Sequence, residues 1–241
     1  MVAMMRLNAK EVLDRHDKAL TKKEDFRSLY DEAYEFALPQ RNLYDGYYDG
    51  GVQGQKKMNR VFASTQRFAN RMQSGIFPPQ RKWCRLEPGS DIPEDRKAEA
   101  QAALDLYNEK LFDTLKQSNF DVAIGEFLLD LSVGTAVMMI QPGDDINPIN
   151  FIPVPQFLVS FDEGAHGQVD NVYRRMKLKV ESLQRQWPDA KLSAEIKTLI
   201  QQKPTEEIEL IEATVFDQKR GDYCYHVIEK KSKTELVYRR M

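Results

Sequence analysis

The chain has little of what most site chemistry requires. Its 241 residues include only two cysteines and three histidines. Cys84 and Cys224 lie far apart and neither belongs to a CxxC pair. That argues against a disulfide framework or a cysteine-ligated zinc site, and it suits a reducing compartment. No apolar run approaches the roughly 20 residues that a membrane-spanning helix needs. The opening stretch "MVAMMRLNAK" has no apolar core and no small-residue cleavage site, so no signal peptide is expected. A basic surplus is missing as well, since 35 Lys and Arg face 37 Asp and Glu for a net charge of −2. A protein that grips DNA over a large surface usually has a basic excess; here local patches are left open, and a DNA contact is expected to be weak and nonspecific at most. No internal repeat is visible. The glycines of "YDGYYDGGVQGQ" do not open a helix after a strand, so they do not form a phosphate-cradling loop and read as a long surface loop.

What is present is patterning. From Asn8 to Leu38, Val12, Leu13, Leu20, Phe26, Leu29, Tyr30, Ala33 and Phe36 recur at helical spacing, with Thr21 and Glu24 as a candidate capping box that would divide the run in two. A helix from about Asn59 to Ser74 follows, with Phe68, Ala69, Met72 and Ile76 as its apolar positions, Gly75 as a left-handed closing residue, and Pro78 and Pro79 forbidding continuation. "KWCRLEP" then alternates like a short strand. A long helix starts at Pro93 and Glu94, and another runs behind Asn119 with Ile124, Phe127, Leu128 and Leu131 as a stripe, closed by Gly134. The remainder reads as strands. "AVMMI" and "NFIPVPQFLVSFDE" come first, the latter confined to edges or turns by Pro153 and Pro155. "VDNVYRRMKLKV", a short helix "ESLQRQWPD", and an alternating region from Glu206 to Met241 with turns at Gly221 and near Lys230–Lys233 complete the chain. The expected fold class is α+β, with a helical region 1–134 packed on a mostly antiparallel, β-rich region 135–241.

Each candidate site also has a plain structural account. His166 with Asp162 and Glu163, and Asp144 with Asp145, could ligate a metal and support a hydrolase. A polar, Gly-flanked turn explains the first group, and the second lacks the spacing of a calcium loop. His16 and His226 have nothing beside them in sequence to single them out. Cys84, between Lys82 and Arg85, could be a lowered-pKa thiol, but a half-buried strand cysteine is the better account. No catalytic residue, cofactor site or metal site is therefore assigned. The acidic run Glu206, Glu207, Glu209 and Glu212 and the basic run from Lys230 to Arg240 are expected to pair across a sheet. Arg67, Arg71, Arg81, Lys82 and Arg85 interleave with Phe68 and Trp83. Arg and Trp are favoured where subunits meet, so these residues are read as a subunit interface, with contact to nucleic acid as the alternative (a cytosolic adaptor using the Arg67–Arg85 segment). Trp83, following a rigid corner, is expected to be substantially buried.

The order and spacing of several motifs resemble one family. These are "ALPQRN", then "RFANRMQSGIFPPQRKWCRLE", "FLLDLSVGTAVMMI", "NFIPVPQFLVSFDEGAHGQVDNVYRRMKLKVESLQRQWPD" and "IELIEATVFD". From about Tyr34 onward they are similar to the head-to-tail connector (portal) proteins of short-tailed bacteriophages. The resemblance implies a non-enzymatic subunit of a dodecameric ring at one capsid vertex of the virion, assembled in the host cytoplasm with no membrane involved. Its implied partners are other copies of itself, the terminase motor, capsid and tail adaptor proteins, and double-stranded DNA passing through the channel during packaging and ejection. Family members continue with stem helices, a clip and a further wing segment. This chain ends at Met241, so the expectation is the N-terminal wing portion.

Overall fold

A computed structural model describes residues 6–39, 59–79, 81–144, 146–164 and 167–241. The glycine- and tyrosine-rich stretch read as a surface loop, Asp145 and His166 lie outside them. The fold is α+β, with helices in the first half and a five-stranded antiparallel sheet in the second. Two compact units are present, one comprising 6–27 with Phe157–Met241 and the other Ser28–Gln156. Helix α1 (Ala9–Glu24) packs with the sheet, which lies far from it in sequence.

In the first unit, β3 (Val159–Glu163), β4 (Val169–Lys179), β5 (Glu207–Asp217), β6 (Asp222–Glu229) and β7 (Thr234–Arg240) pair in chain order. The β5–β6 turn places Gly221 at φ 72°, a left-handed conformation that glycine adopts without a Cβ penalty. One face of the sheet packs on α1, where Val12, Leu13 and Ala19 meet Tyr173, Ile211, Ala213, Val215, Cys224 and Ile228. The other face is covered by α6 (Leu183–Gln186) and α7 (Ala194–Gln202), whose Leu183 and Ile196 join Trp187, Ile208, Leu210, Val227 and Leu236. Covering both faces explains why Ile208, Leu210, Ile211, Ala213 and Val215 are all buried, where alternation would have left one set in water.

Helix α1 is capped by Asn8, which accepts from Glu11 N–H at 2.9 Å, while Glu11 Oε2 accepts from Asn8 N–H at 2.9 Å. The capping box thus stands at the start of the run and not at Thr21–Glu24: Thr21 Oγ1 instead donates to the carbonyl of Asp17 at 2.9 Å, within the helix. Helix α7 lies in a stretch to which the sequence reading assigns no element; Ser193 caps it, and Ile196, Leu199 and Ile200 carry its apolar face. The acidic and basic runs pair across strands at Glu209–Lys230, 2.9 Å apart. Glu212 turns instead to Arg174 of β4 at 3.2 Å and accepts from Tyr225 Oη. Arg239 bridges to Asp189, outside the sheet, at 2.6 Å.

The second unit holds α2 (Arg27–Ala37), α3 (Asn59–Ile76), α4 (Lys97–Gln117), α5 (Phe120–Leu131) and a hairpin of β1 (Val137–Pro142) with β2 (Ile149–Val154). α3 packs on α5 through Ala69, Ile124 and Leu128, flanked by Met72, Phe77 and Phe127. Two local expectations, both on α3, differ from the structure. Gly75 is helical rather than left-handed, and α3 runs on to Ile76 before the prolines end it. Phe68 and Ile76 point away from the core, which α3 meets with Thr65, Ala69 and Met72. On α4 the buried residues are Asn108 and Phe112, while Leu106 is exposed.

Candidate functional site

The segment 67–88 is built from α3, a proline corner and an extended run that joins no sheet. Phe77 N–H donates to the carbonyl of Gln73 at 2.8 Å, closing the helix immediately before Pro78, which has no N–H to continue it. The chain then passes along α4. In place of a neighbouring strand, Asn108 of α4 supplies the pairing: its Oδ1 accepts from Leu86 N–H at 2.9 Å, and its Nδ2 donates to the carbonyl of Leu86 at 3.5 Å. A side-chain amide presents the same donor and acceptor as a peptide group, so one asparagine imitates one rung of a ladder. This is why 82–88 alternates like a strand without being one. It also corrects the reading of Cys84, which is exposed and not a half-buried strand residue.

A second asparagine does the same nearby. Asn119 Oδ1 accepts from Phe151 N–H at 2.9 Å, and Asn119 Nδ2 donates to the Phe151 carbonyl at 2.7 Å, which covers the outer edge of β2. Between the two clamps lies a cluster of rings. Trp83 meets Phe77 edge-on with centroids 5.0 Å apart, meets Phe112 edge-on at 5.6 Å and stacks on Phe120 at 5.9 Å. Phe120 in turn meets Phe151 at 5.1 Å. Trp83 is half-buried: its ring is engaged on several sides while part of it faces solvent. The cluster ties the end of α3, the extended run, α4, α5 and β2 together within this unit.

The charged residues of the segment divide into two groups. Lys82 is paired with Glu109, and Arg85 binds Asp105 with 2.9 Å between Nη2 and Oδ1. Hydrogen bonds from Gln101 and then Arg85 hold the Asp105 carboxyl below the usual carboxylate range. Both pairs lie in solvent and serve to register the extended run on α4. Arg67, Arg71 and Arg81 are exposed and make no ion pair among the described residues. Lys82 and Arg85 are thus satisfied within the chain, whereas Arg67, Arg71 and Arg81 are exposed.

The acidic groups considered for metal chemistry are dispersed. Asp162 is paired with Lys22 at 3.0 Å, and Asp144 Oδ1 accepts from the N–H groups of Ile146 and Asn147, at 3.0 and 2.6 Å, in a local turn. Among the described residues no group of three or more His, Cys, Asp or Glu is placed to hold a metal ion. His226 is fully buried, with Nδ1 at 2.9 Å from Glu235 Oε1 and its ring 5.1 Å from Tyr238. His16 is buried against Tyr173 at 5.8 Å. The partners of His226 come from β7, whereas His16 meets Tyr173 of β4 and also lies with Nδ1 2.9 Å from Oδ1 of its sequence neighbour Asp17, a carboxylate the sequence reading passed over.

A sequence model of one family, described as bacteriophage head to tail connecting protein, matches residues 9–240. The chain belongs to this family. A relative from Bordetella phage BPP-1, described as a "Probable portal protein", is 24% identical over 198 residues, which is 79% of this chain and 35% of that protein. The chain therefore spans about a third of the length of the curated relative it matches. The matched span of the connector family takes in all three parts of the segment above: α3, the proline corner and the run clamped on α4. Among the described residues of this connector chain, no helix is long and apolar enough to cross a membrane.

Proposed function

We propose that this chain is the wing portion of a phage portal, a non-enzymatic subunit of the ring through which DNA enters the capsid and later leaves it. The observation that carries the reading is the family match over residues 9–240. In this reading the ring is dodecameric and sits at one vertex of the virion. It meets the capsid shell and tail adaptor proteins, and it receives DNA from the terminase motor. The helical region 1–134 and the β-rich region 135–241 both belong to the wing.

The geometry supports this role through stiffness. A subunit that bears load while DNA is driven past it has to keep the direction of its elements. The proline corner, the two asparagine clamps and the ring cluster around Trp83 hold α3, α4, α5 and β2 in one arrangement. Arg67, Arg71, Arg81 and Trp83, with Lys82 and Arg85 as supports, are the residues assigned to subunit contact or to the neighbourhood of DNA.

Immuno-electron microscopy tests the reading without depending on how this span behaves alone. An antibody raised against residues 59–144 is expected to label a single vertex per particle, on capsids opened gently enough to keep their tails. Label scattered over the shell, or found only on the tail fibres, would refute it.

A further inference from the structure

The outer faces of α3 and α4, both in the Ser28–Gln156 unit, carry opposite charge. Arg60, Arg67 and Arg71 fall on one ridge of α3 with Ser64 between them; all four are exposed, and the helix contains no acidic residue. None of the three arginines has an ion-pair partner among the described residues. Alongside the ridge, Val61 and Phe68 are 44% and 40% exposed. On α4, Glu99, Ala102, Leu106, Glu109 and Asp113 follow at steps of three or four residues, which places them on one ridge as well. There Leu106 is 58% exposed, and Glu99, Glu109 and Asp113 are the charged residues of the ridge itself; Arg96, Lys110 and Lys116 stand within one turn of them, and Glu109 is paired with Lys82. Arg67 and Arg71 are one turn apart, about 6 Å along the axis, and so are Glu109 and Asp113.

We infer that the arginine ridge of α3 in one copy docks on the acidic ridge of α4 in the next copy. This inference rests on the ring reading above and names the surface that would build it. Two different, complementary patches on one unit make a head-to-tail contact, which leaves one patch of each kind open after every addition until a ring closes. A second copy fits better than nucleic acid for two reasons. Val61 and Phe68 on α3 and Leu106 on α4 give an apolar strip beside the charges, which a phosphate backbone would leave unused. The chain as a whole is also slightly acidic, at net −2.

Sedimentation velocity of this chain over a concentration series, at low and at high salt, reads the contact directly. Wild type is expected to associate with increasing concentration, and less so as salt is raised. The double variants Arg67→Glu/Arg71→Glu and Glu109→Arg/Asp113→Arg are each expected to weaken association by about tenfold or more. An equimolar mixture of the two, or one chain carrying all four changes, is expected to restore it, which misfolded variants could not do. Unchanged association in either double variant overturns the α3–α4 face and leaves the ring reading standing, since vertex labelling tests that separately. Loss without rescue by mixing overturns the face too, as does a wild-type chain that stays monomeric at every concentration. Salt-dependent binding of duplex DNA that disappears in Arg67→Glu/Arg71→Glu, with association intact, would reassign the ridge to nucleic acid.

Discussion

Replacing Trp83 with Ala removes the ring that touches Phe77, Phe112 and Phe120 at once. Truncating a fully buried Trp costs about 3–5 kcal/mol, and each well-oriented aromatic pair contributes about 0.5–1.5 kcal/mol beyond its buried area. Trp83 is half-buried, so part of its hydrophobic contribution is never realised, and the expected loss is about 2–3 kcal/mol. With a urea slope of about 2 kcal/mol per molar, the midpoint of the Ser28–Gln156 unit should fall by about 1–1.5 M. The chain has two units, so a whole-molecule signal would mix two transitions. Hydrogen exchange read by mass spectrometry on urea-equilibrated samples separates them. Peptides from α5 report the unit containing Trp83, and peptides from β5 report the other. The α5 midpoint should drop while that of β5 serves as the reference, and Trp83→Phe should lose distinctly less than Trp83→Ala. An α5 midpoint shifted by less than about 0.25 M, equivalent to about 0.5 kcal/mol, would show that the ring cluster does not hold this unit together.

Three further outcomes follow from particular groups. Asn108→Ala removes both bonds to Leu86, so the Leu86 amide should exchange faster and the unit should lose about 1–2 kcal/mol, measured by amide exchange and urea titration. Gly221→Ala should cost about 1 kcal/mol in thermal unfolding, because φ 72° is strained for any residue with a Cβ even though the space around it is open. His16 has a folded-state pKa lowered from 6.5, chiefly by burial, with Lys230 and Arg175 adding to the shift and Asp17 opposing it. The unfolded chain therefore binds the proton more readily. Stability from neutral His16 is present above pH 6.5 and is lost as pH falls below 6.5 toward the lower folded value, a slope that His16→Phe should flatten in pH-dependent urea titrations.

Much of the fold was legible because local chemistry decided it. Pro78 and Pro79 end a helix wherever they stand, Pro93 and Glu94 open one, and the apolar spacing behind Asn119 is helical in any context. The turns at Gly221 and Lys233 required left-handed backbone, and their polar surroundings announced them. The family was readable for a related reason, since it lies in the order and spacing of such local signals along the chain. Other features depended on what came to lie opposite. Whether 82–88 became a strand turned on its neighbour, and that neighbour was the Asn108 side chain of a helix. Which positions of α4 were core turned on the ring of Trp83 reaching Phe112 and on Leu86 reaching Asn108, so the helix buried an asparagine and exposed Leu106. Both faces of β5 are apolar for the same kind of reason, because α1, remote in sequence, covers one face while α6 and α7 cover the other. The basic residues of the segment show the division most clearly. Their identity and spacing were written in the sequence, but only the tertiary structure could show that Lys82 and Arg85 are held by Glu109 and Asp105 while Arg67, Arg71 and Arg81 remain exposed. An ion pair is made by whatever charge the fold brings within reach, and sequence distance does not measure that.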